Sequence, residues 1–359
     1  MSASAPSTSP SPTPATAPVP DPAAPSRGRT ALVTAAWWIH GLLRLGLAFY
    51  LLVYGVTKVI MMQFGPPDMG DALIPYGQMS PMGVLWRMVA LSPLFQVLSG
   101  LAEAGAGAAL LWRRTVPLGA LLGLADMVFV FVLNLGYDVP VKALSLGLAV
   151  LSLVVLAPWL PRLTRALLGH GTVGEGPWPR LLPWRRVDRA AGAVAAVVAI
   201  AVAVLSMVVA PLVMPRPAED LSAPTGVWTV VEDARPAAGS LAEDDRIAAV
   251  AVGQWVYDGA SRATVRLADG TVLAGSALRT APDRVQLELR PLREPGQTAR
   301  EWADLAPREL DLTVAEEADG RLRLTGSGED LVLEQRPGDR LVYDRGFSWE
   351  VRPDDPLNR

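Results

Sequence analysis

The sequence predicts a mainly α-helical membrane protein. A four-helix transmembrane bundle and a fifth anchoring helix are followed by a small all-β domain, barrel- or sandwich-like. Three observations predict this. Half of the 359 residues are hydrophobic. Apolar stretches long enough to cross a bilayer as helix recur through the first two thirds of the chain. After residue 215, Arg, Asp and Glu become dense and apolar residues alternate with charged ones, the period of a half-buried strand.

Taken in order, residues 1–30 are mostly Ser, Ala, Pro and Thr and read as a disordered tail, too polar to offset the entropy of ordering. The tail lacks the basic start and apolar core of a secretory signal. Spans are expected near 41–61, 92–112, 116–136, 141–160 and 190–212. Residues 32–40, with Trp37 and Trp38, suit the membrane interface. Residues 31–168 thus form the bundle, 169–189 an Arg-rich loop, 190–214 the fifth helix and 215–359 the β domain. Between the first two spans, 63–91 is rich in Pro, Gly and Met. Within it, 82–91 reads as a short interfacial helix with Met82, Leu85, Met88 and Val89 on one face and Arg87 opposite.

The basic residues give the orientation. Arg27, Arg29 and Arg44 lie before or within the first span, and Arg113 and Arg114 fill the second loop. Arg162, Arg165, Arg180, Arg185, Arg186 and Arg189 lie between the fourth and fifth spans. All share one side of a five-span topology, and that side is expected to be cytoplasmic. The N-terminus would then be cytoplasmic and the β domain extracytoplasmic, in a bacterial plasma membrane. In the β domain, apolar positions alternate at Val227/Thr229/Val231, Ala263/Val265/Leu267, Val285/Leu287/Leu289, Leu310/Leu312/Val314 and Leu322/Leu324. Asp269-Gly270 and Asp319-Gly320 mark hairpin turns.

Composition excludes several chemistries. With no cysteine, disulfides, thiolate catalysis and cysteine-ligated metals are absent. Two histidines, His40 and His170, argue against a multi-histidine metal or haem site, so no metal is expected. A net charge of −3 gives no support for a nucleic-acid partner. The two lysines, Lys58 and Lys142, stand against thirty arginines, and both fall at span ends.

Ionisable groups inside a membrane are costly and mark candidate sites. Glu103 and Asp126 are expected near mid-depth, and Lys58, Asp138 and Lys142 at the outer boundary. Helical spacing aligns Tyr50, Tyr54 and Lys58; Gln96, Gly100, Glu103 and Gly107; and Gly119, Gly123, Asp126, Val130, Asn134 and Tyr137. These faces should meet as a polar seam. Glu103 and Asp126 are either protonated hydrogen-bond glue or a proton relay. Asp138 and Lys142, four apart, form either a boundary salt bridge or, with Lys58, a paired network. The tyrosines are either packing or part of a ligand site.

Tyr54-Gly55 with Lys58, Gln63-Phe64, Met79-Ser80-Pro81-Met82-Gly83, Ser92-Pro93, Gly100-Leu101 with Glu103, and Tyr137-Asp138-Val139-Pro140-Val141-Lys142 together resemble the DoxX-like bacterial membrane proteins over about residues 40–165. Asp344-Arg345-Gly346-Phe347-Ser348-Trp349 and Pro356-Leu357-Asn358-Arg359 resemble the tail of longer members, whose RGFHW and PFNR patterns differ at Ser348 and Leu357. The resemblance implies a four-helix membrane unit, in some relatives tied to thiosulfate:quinone oxidoreductases or to oxidative-stress complexes. Three readings follow. One is an accessory or scaffold subunit in the bilayer, serving a membrane partner with no reaction of its own. Another is a redox subunit binding a quinone through Tyr54, Lys58, Gln63, Glu103, Asp126, Asn134, Tyr137, Asp138 and Lys142. The third, a solute or proton transporter, lacks an inverted repeat in the sequence.

Overall fold

The computed structural model describes residues 27–169, 182, 184–213, 217–344, 346 and 348–350. His170, Arg180, Arg345, Phe347 and residues 351–359 lie outside them, as do residues 1–26 of the expected tail. The helical unit comprises α1 (Arg27–Val59), α2 (Pro81–Ala90), α3 (Pro93–Leu111), α4 (Val116–Gly136), α5 (Lys142–Leu156), α6 (Leu160–Leu167) and α7 (Arg185–Val213). Four stretches, Gly28–Val59, Pro93–Leu111, Arg113–Gly136 and Lys142–Leu167, are long and apolar enough to cross a membrane. α1 packs on α3, α3 on α4, α4 on α5 and α5 back on α1, a closed ring of four helices.

Local chemistry sets the boundaries. The two Ser-Pro pairs are helix starts: Ser80 Oγ accepts from Gly83 N–H at 3.0 Å and Ser92 Oγ from Phe95 N–H at 3.3 Å, with proline at the first helical position. α1 is one uninterrupted helix of 33 residues, about 50 Å long at 1.5 Å per residue. It begins at Arg27, inside the segment 1–30 expected as tail, and runs through residues 32–40 into the first span. The fourth span breaks at the 3-10 turn Ala157–Trp159, where Pro158 removes a backbone donor. α7 lies against α1 and α3, with Arg113 Nη1 3.0 Å from Asp188 Oδ2.

The C-terminal domain is an eight-stranded antiparallel barrel. Its strands are β2 (Gly226–Asp233), β3 (Ile247–Tyr257), β4 (Ala260–Leu267), β5 (Val272–Ala281), β6 (Arg284–Pro291), β7 (Arg308–Glu316), β8 (Leu322–Gly326) and β9 (Glu329–Glu334). Each pairs with the next, and β9 pairs with β2, closing the meander. A two-residue β1 (Ala218–Glu219) extends the edge of β3. Barrel closure decides the alternative that periodicity leaves open. Val265, Leu287, Leu289, Leu312, Leu324 and Leu331 fill the interior, as expected of a barrel this narrow. Asp269-Gly270 and Asp319-Gly320 are hairpin turns, with Gly270 and Gly320 at φ +90° and +84°.

One strand differs from expectation. On β2 the interior receives Trp228 and Val230, while Val227 faces out. The reason is a second apolar surface. Val227, Ala249 and Ala251 on the outside of β2 and β3 bury Met69 and Leu73 from the 63–91 loop. Ala249, Ala251 and Gly253 alternate along β3 and leave a shallow track for that loop. Asp68 Oδ1 sits so close to Gly253 that a Cβ there would overlap it. Polar contacts complete the clasp. Gln254 Oε1 accepts from Met69 N–H at 3.0 Å, and Gln254 Nε2 and Trp255 Nε1 both donate to Pro67 O at 2.9 Å. Thr264 Oγ1 donates to Gly70 O at 2.8 Å, and Arg262 Nη1 lies 3.1 Å from Asp71 Oδ2.

α2 falls on the expected short helix, with one exchange of faces. Leu85 and Val89 are buried against Val139, but Met88 is 45 % exposed and Trp86 packs in its stead. α2 thereby caps the barrel end of the helical ring, over the α4–α5 turn.

Burial raises the Asp68 carboxyl above its ordinary value, while the Gly70 N–H and Arg262 pull it down. A raised value means that the docked loop favours the proton-bound form. That contribution is complete below the ordinary carboxylate value and is lost as pH rises through the docked value. The Tm of the detergent-solubilised chain should therefore fall with rising pH across that window. Asp68→Asn, which keeps an oxygen for Gly70 N–H, should flatten the slope; an unchanged slope would remove Asp68 as its source.

Candidate functional site

The α1–α3 contact builds the site. Gly55 and Gly100 face each other so closely that a Cβ on either would sit within 3 Å of the other helix's backbone. Small residues there let two helices approach and pack backbone on backbone. The helices are antiparallel, and each Cα–Cβ bond tilts toward its own N-terminus. Lys58, near the end of α1, therefore reaches back into the ring, and Glu103 on α3 reaches toward it. Their atoms Nζ and Oε1 are 2.5 Å apart, with the side chains only 5 % and 2 % exposed.

Around this pair lies a cavity of about 90 Å³. Tyr50 and Tyr54 stack along one wall with ring centroids 4.6 Å apart and planes 12° from parallel. Phe64, Leu85 and Trp86 close the barrel end, and Gln63, Ser99, Val130, Asn134 and Ser145 contribute elsewhere. The rim carries exposed apolar side chains, including Phe95, Phe129 and Leu144. The cavity thus has a charged inner end and an apolar mouth.

Polar atoms without partners sharpen the picture. Glu103 Oε2, Gln63 Oε1 and Asp126 Oδ2 are buried with no hydrogen-bond partner among the described residues. Such atoms cost stability unless something satisfies them. Two neighbouring buried amides are satisfied. Gln96 accepts from Phe64 N–H at 3.3 Å and donates to Gly65 O at 3.1 Å, anchoring the start of the loop. Asn134 Nδ2 donates to Ser145 Oγ at 3.1 Å, tying α4 to α5.

Of the residues singled out in the sequence, Tyr54, Lys58, Gln63, Glu103 and Asn134 line the cavity. Asp126 lies within electrostatic reach of Lys58 and Glu103 but is not part of the lining. Three others are elsewhere. Tyr137 packs with Leu85, Val89 and Val139 beneath α2. Asp138, 77 % exposed, pairs with Lys142 as a boundary bridge. The Lys142 ammonium holds its carboxyl below the usual range. The expected network of Asp138 between two lysines is corrected: Lys58 turns inward to Glu103. Asp138 adopts φ +51° to turn the chain between α4 and α5. His40 is a packing residue, bonded through Nε2 to Val155 O at 2.9 Å between Trp37 and Trp159.

Sequence reasoning missed Ser99, Ser145, Phe64 and Trp86 as lining residues. Ser99 stands four residues before Glu103 and Ser145 three after Lys142, spacings that place them on the same helix faces. Phe64 and Trp86 had no comparable signal, because loop docking brings them in.

Lys58→Met alone leaves Glu103 buried without its cation and should cost about 3–5 kcal/mol. The double variant Lys58→Met/Glu103→Met should regain most of that loss in thermal unfolding in detergent. Equal losses in the single and double variants would show the pair to be uncoupled.

Comparison with known proteins adds one relationship. No family model and no solved structure matches the chain. The chain is 33 % identical over 121 residues to the uncharacterized protein YwoB of Bacillus subtilis (strain 168), a stretch that spans 33 % of this chain and 74 % of YwoB. Over that stretch, the chain belongs to the same protein family as YwoB.

Proposed function

We propose that this is a multi-pass bacterial plasma-membrane protein of DoxX-like type whose helical unit binds a lipid-soluble, quinone-like ring. The observation that carries the reading is the cavity's polarity: an apolar mouth leading to a buried ion pair with an unpartnered carboxylate oxygen. The residues fit such a ring. Lys58 has three N–H donors, and Glu103 occupies one; the others can hold a carbonyl oxygen. Glu103 Oε2 can accept from a ring hydroxyl or hold its proton. Tyr50 and Tyr54 offer flat faces. The cavity is smaller than the ~150 Å³ void that takes up benzene. It therefore admits the oxygen-bearing edge of a ring, with the remainder and any tail in the mouth. A bound quinone would supply a centre that takes up electrons and protons.

The topology proposed with it places the Arg-rich loops in the cytoplasm and the barrel outside, with α7 as a fifth span. It is supported by α7 starting beside Arg113, at the end of the ring away from the barrel, and by its 29 residues. A second reading, an accessory subunit that positions the barrel for a membrane partner, is favoured by the clasp between β3, β4 and the loop.

Extraction of the protein purified in mild detergent should yield co-purifying quinone, detectable by chromatography. The double variant Lys58→Met/Glu103→Met and the cavity-filling Val130→Trp should both lose it. Retention unaltered in both would refute the site, and a clean apo protein would favour the accessory reading. In oriented spheroplasts, external protease should cleave the barrel's exposed loops; protection of residues 217–344 would reverse the topology.

A further inference from the structure

Two hollows meet at one pair of rings. Phe64 and Trp86 line the buried cavity and also a cleft of about 700 Å³ between the 63–91 loop, Arg262 of β4 and the short helix α8 (Ala299–Ala303)'s successor α9 (Leu341–Asp344). Their ring centroids are 5.0 Å apart with planes at 59°, the tilted geometry of a packed aromatic pair. On the cavity side, Gln63 precedes Phe64 and leaves Oε1 unpartnered. On the cleft side stand Asp68, Asp71, Arg87 and Arg262, charges that keep a cleft hydrated. Arg87 and Arg262 converge on Asp71 Oδ2 at 3.0 and 3.1 Å.

The two rings are held differently. Phe64 is fixed through its backbone, because Gln96 grips both its N–H and the carbonyl of Gly65. Trp86 rides on α2, a ten-residue helix tied to the loop through the neighbouring Arg87. The apolar mouth offers no water to Lys58 and Glu103, so proton exchange with them needs a second, wetted approach.

We propose that the cleft is a water-filled antechamber to the cavity, and that the Phe64–Trp86 partition admits protons and small polar solutes to Lys58 and Glu103. The ring ligand enters separately, by the apolar mouth. This deepens the reading of the cavity as a ligand site and rests on it.

The absence of cysteine makes the test direct. Ser99 lines the cavity and not the cleft, so Ser99→Cys in the full chain places a single thiol there. In phosphatidylcholine vesicles, the thiol is exposed to a charged, water-soluble thiosulfonate or to a lipid-soluble maleimide. Trp86→Ala should speed thiosulfonate labelling about tenfold, the ratio that ~1.4 kcal/mol of lost ring contact gives. Val342→Trp, in the cleft wall and 61 % exposed, should slow it. Val342→Trp, outside the cavity, should not alter the maleimide rate. A thiosulfonate rate indifferent to both substitutions, or maleimide labelling with no thiosulfonate labelling at all, would overturn the antechamber. Thiosulfonate labelling controlled by Trp86 with no maleimide labelling would sustain the antechamber and instead remove lateral entry of the ring ligand.

Discussion

The ion pair between Lys58 and Glu103 is the constraint to which the helical unit answers. Removing two charges from water costs several kcal/mol for each ion, and only close, well-directed pairing offsets it. The closeness comes from Gly55 and Gly100, which let α1 and α3 touch backbone to backbone. The direction comes from the antiparallel run of the two helices. With the pair in place, its surroundings cannot collapse into a dry apolar core, because Glu103 Oε2 still needs a partner. The cavity lies beside this unmet requirement, and Tyr50, Tyr54, Asn134 and Ser145 form its edges.

The loop between α1 and α2 belongs to both halves of the molecule. Its first residues, Gln63 and Phe64, line the cavity, and Gln96 anchors them to α3. A few residues later Asp68, Met69 and Gly70 lie in the track along β3. The covalent distance between the two contacts is so short that a shift of the barrel would be felt at Phe64. The barrel has an interior packed with leucine and valine. Its contribution to the site is to hold the loop and to lend Arg262 and α9 to the cleft.

Much of this was legible in the sequence. The helical ring follows from apolar length, and α4 falls on the expected residues. Glu103 and Lys58 stand out because charge inside an apolar run is rare. Their pairing was not legible: depth along each helix placed them apart, and side-chain tilt closes that gap. The alternation of Ala263/Val265/Leu267 and its successors identified the barrel's inner face. It failed on β2, where Val227 is apolar because the loop covers it, as it covers Ala249 and Ala251 on β3. A strand buried on both faces loses its two-residue signal. Asp138 drew attention through its charge, but its work is to turn the chain. Phe64 and Trp86 become functional only through long-range docking, which no local pattern encodes.

The meander has a consequence for the order in which the protein is made. The barrel closes only when β9 pairs with both β8 and β2, and β9 follows every helix of the ring in sequence. The helices precede it in synthesis and can assemble while the ribosome is still at work. The ring of helices, with its buried lysine and glutamate, would therefore exist for a time with the loop unclasped and the cavity's cover unsupported. Completion of the last strand is then the event that finishes a site whose Lys58 and Glu103 lie more than two hundred residues upstream.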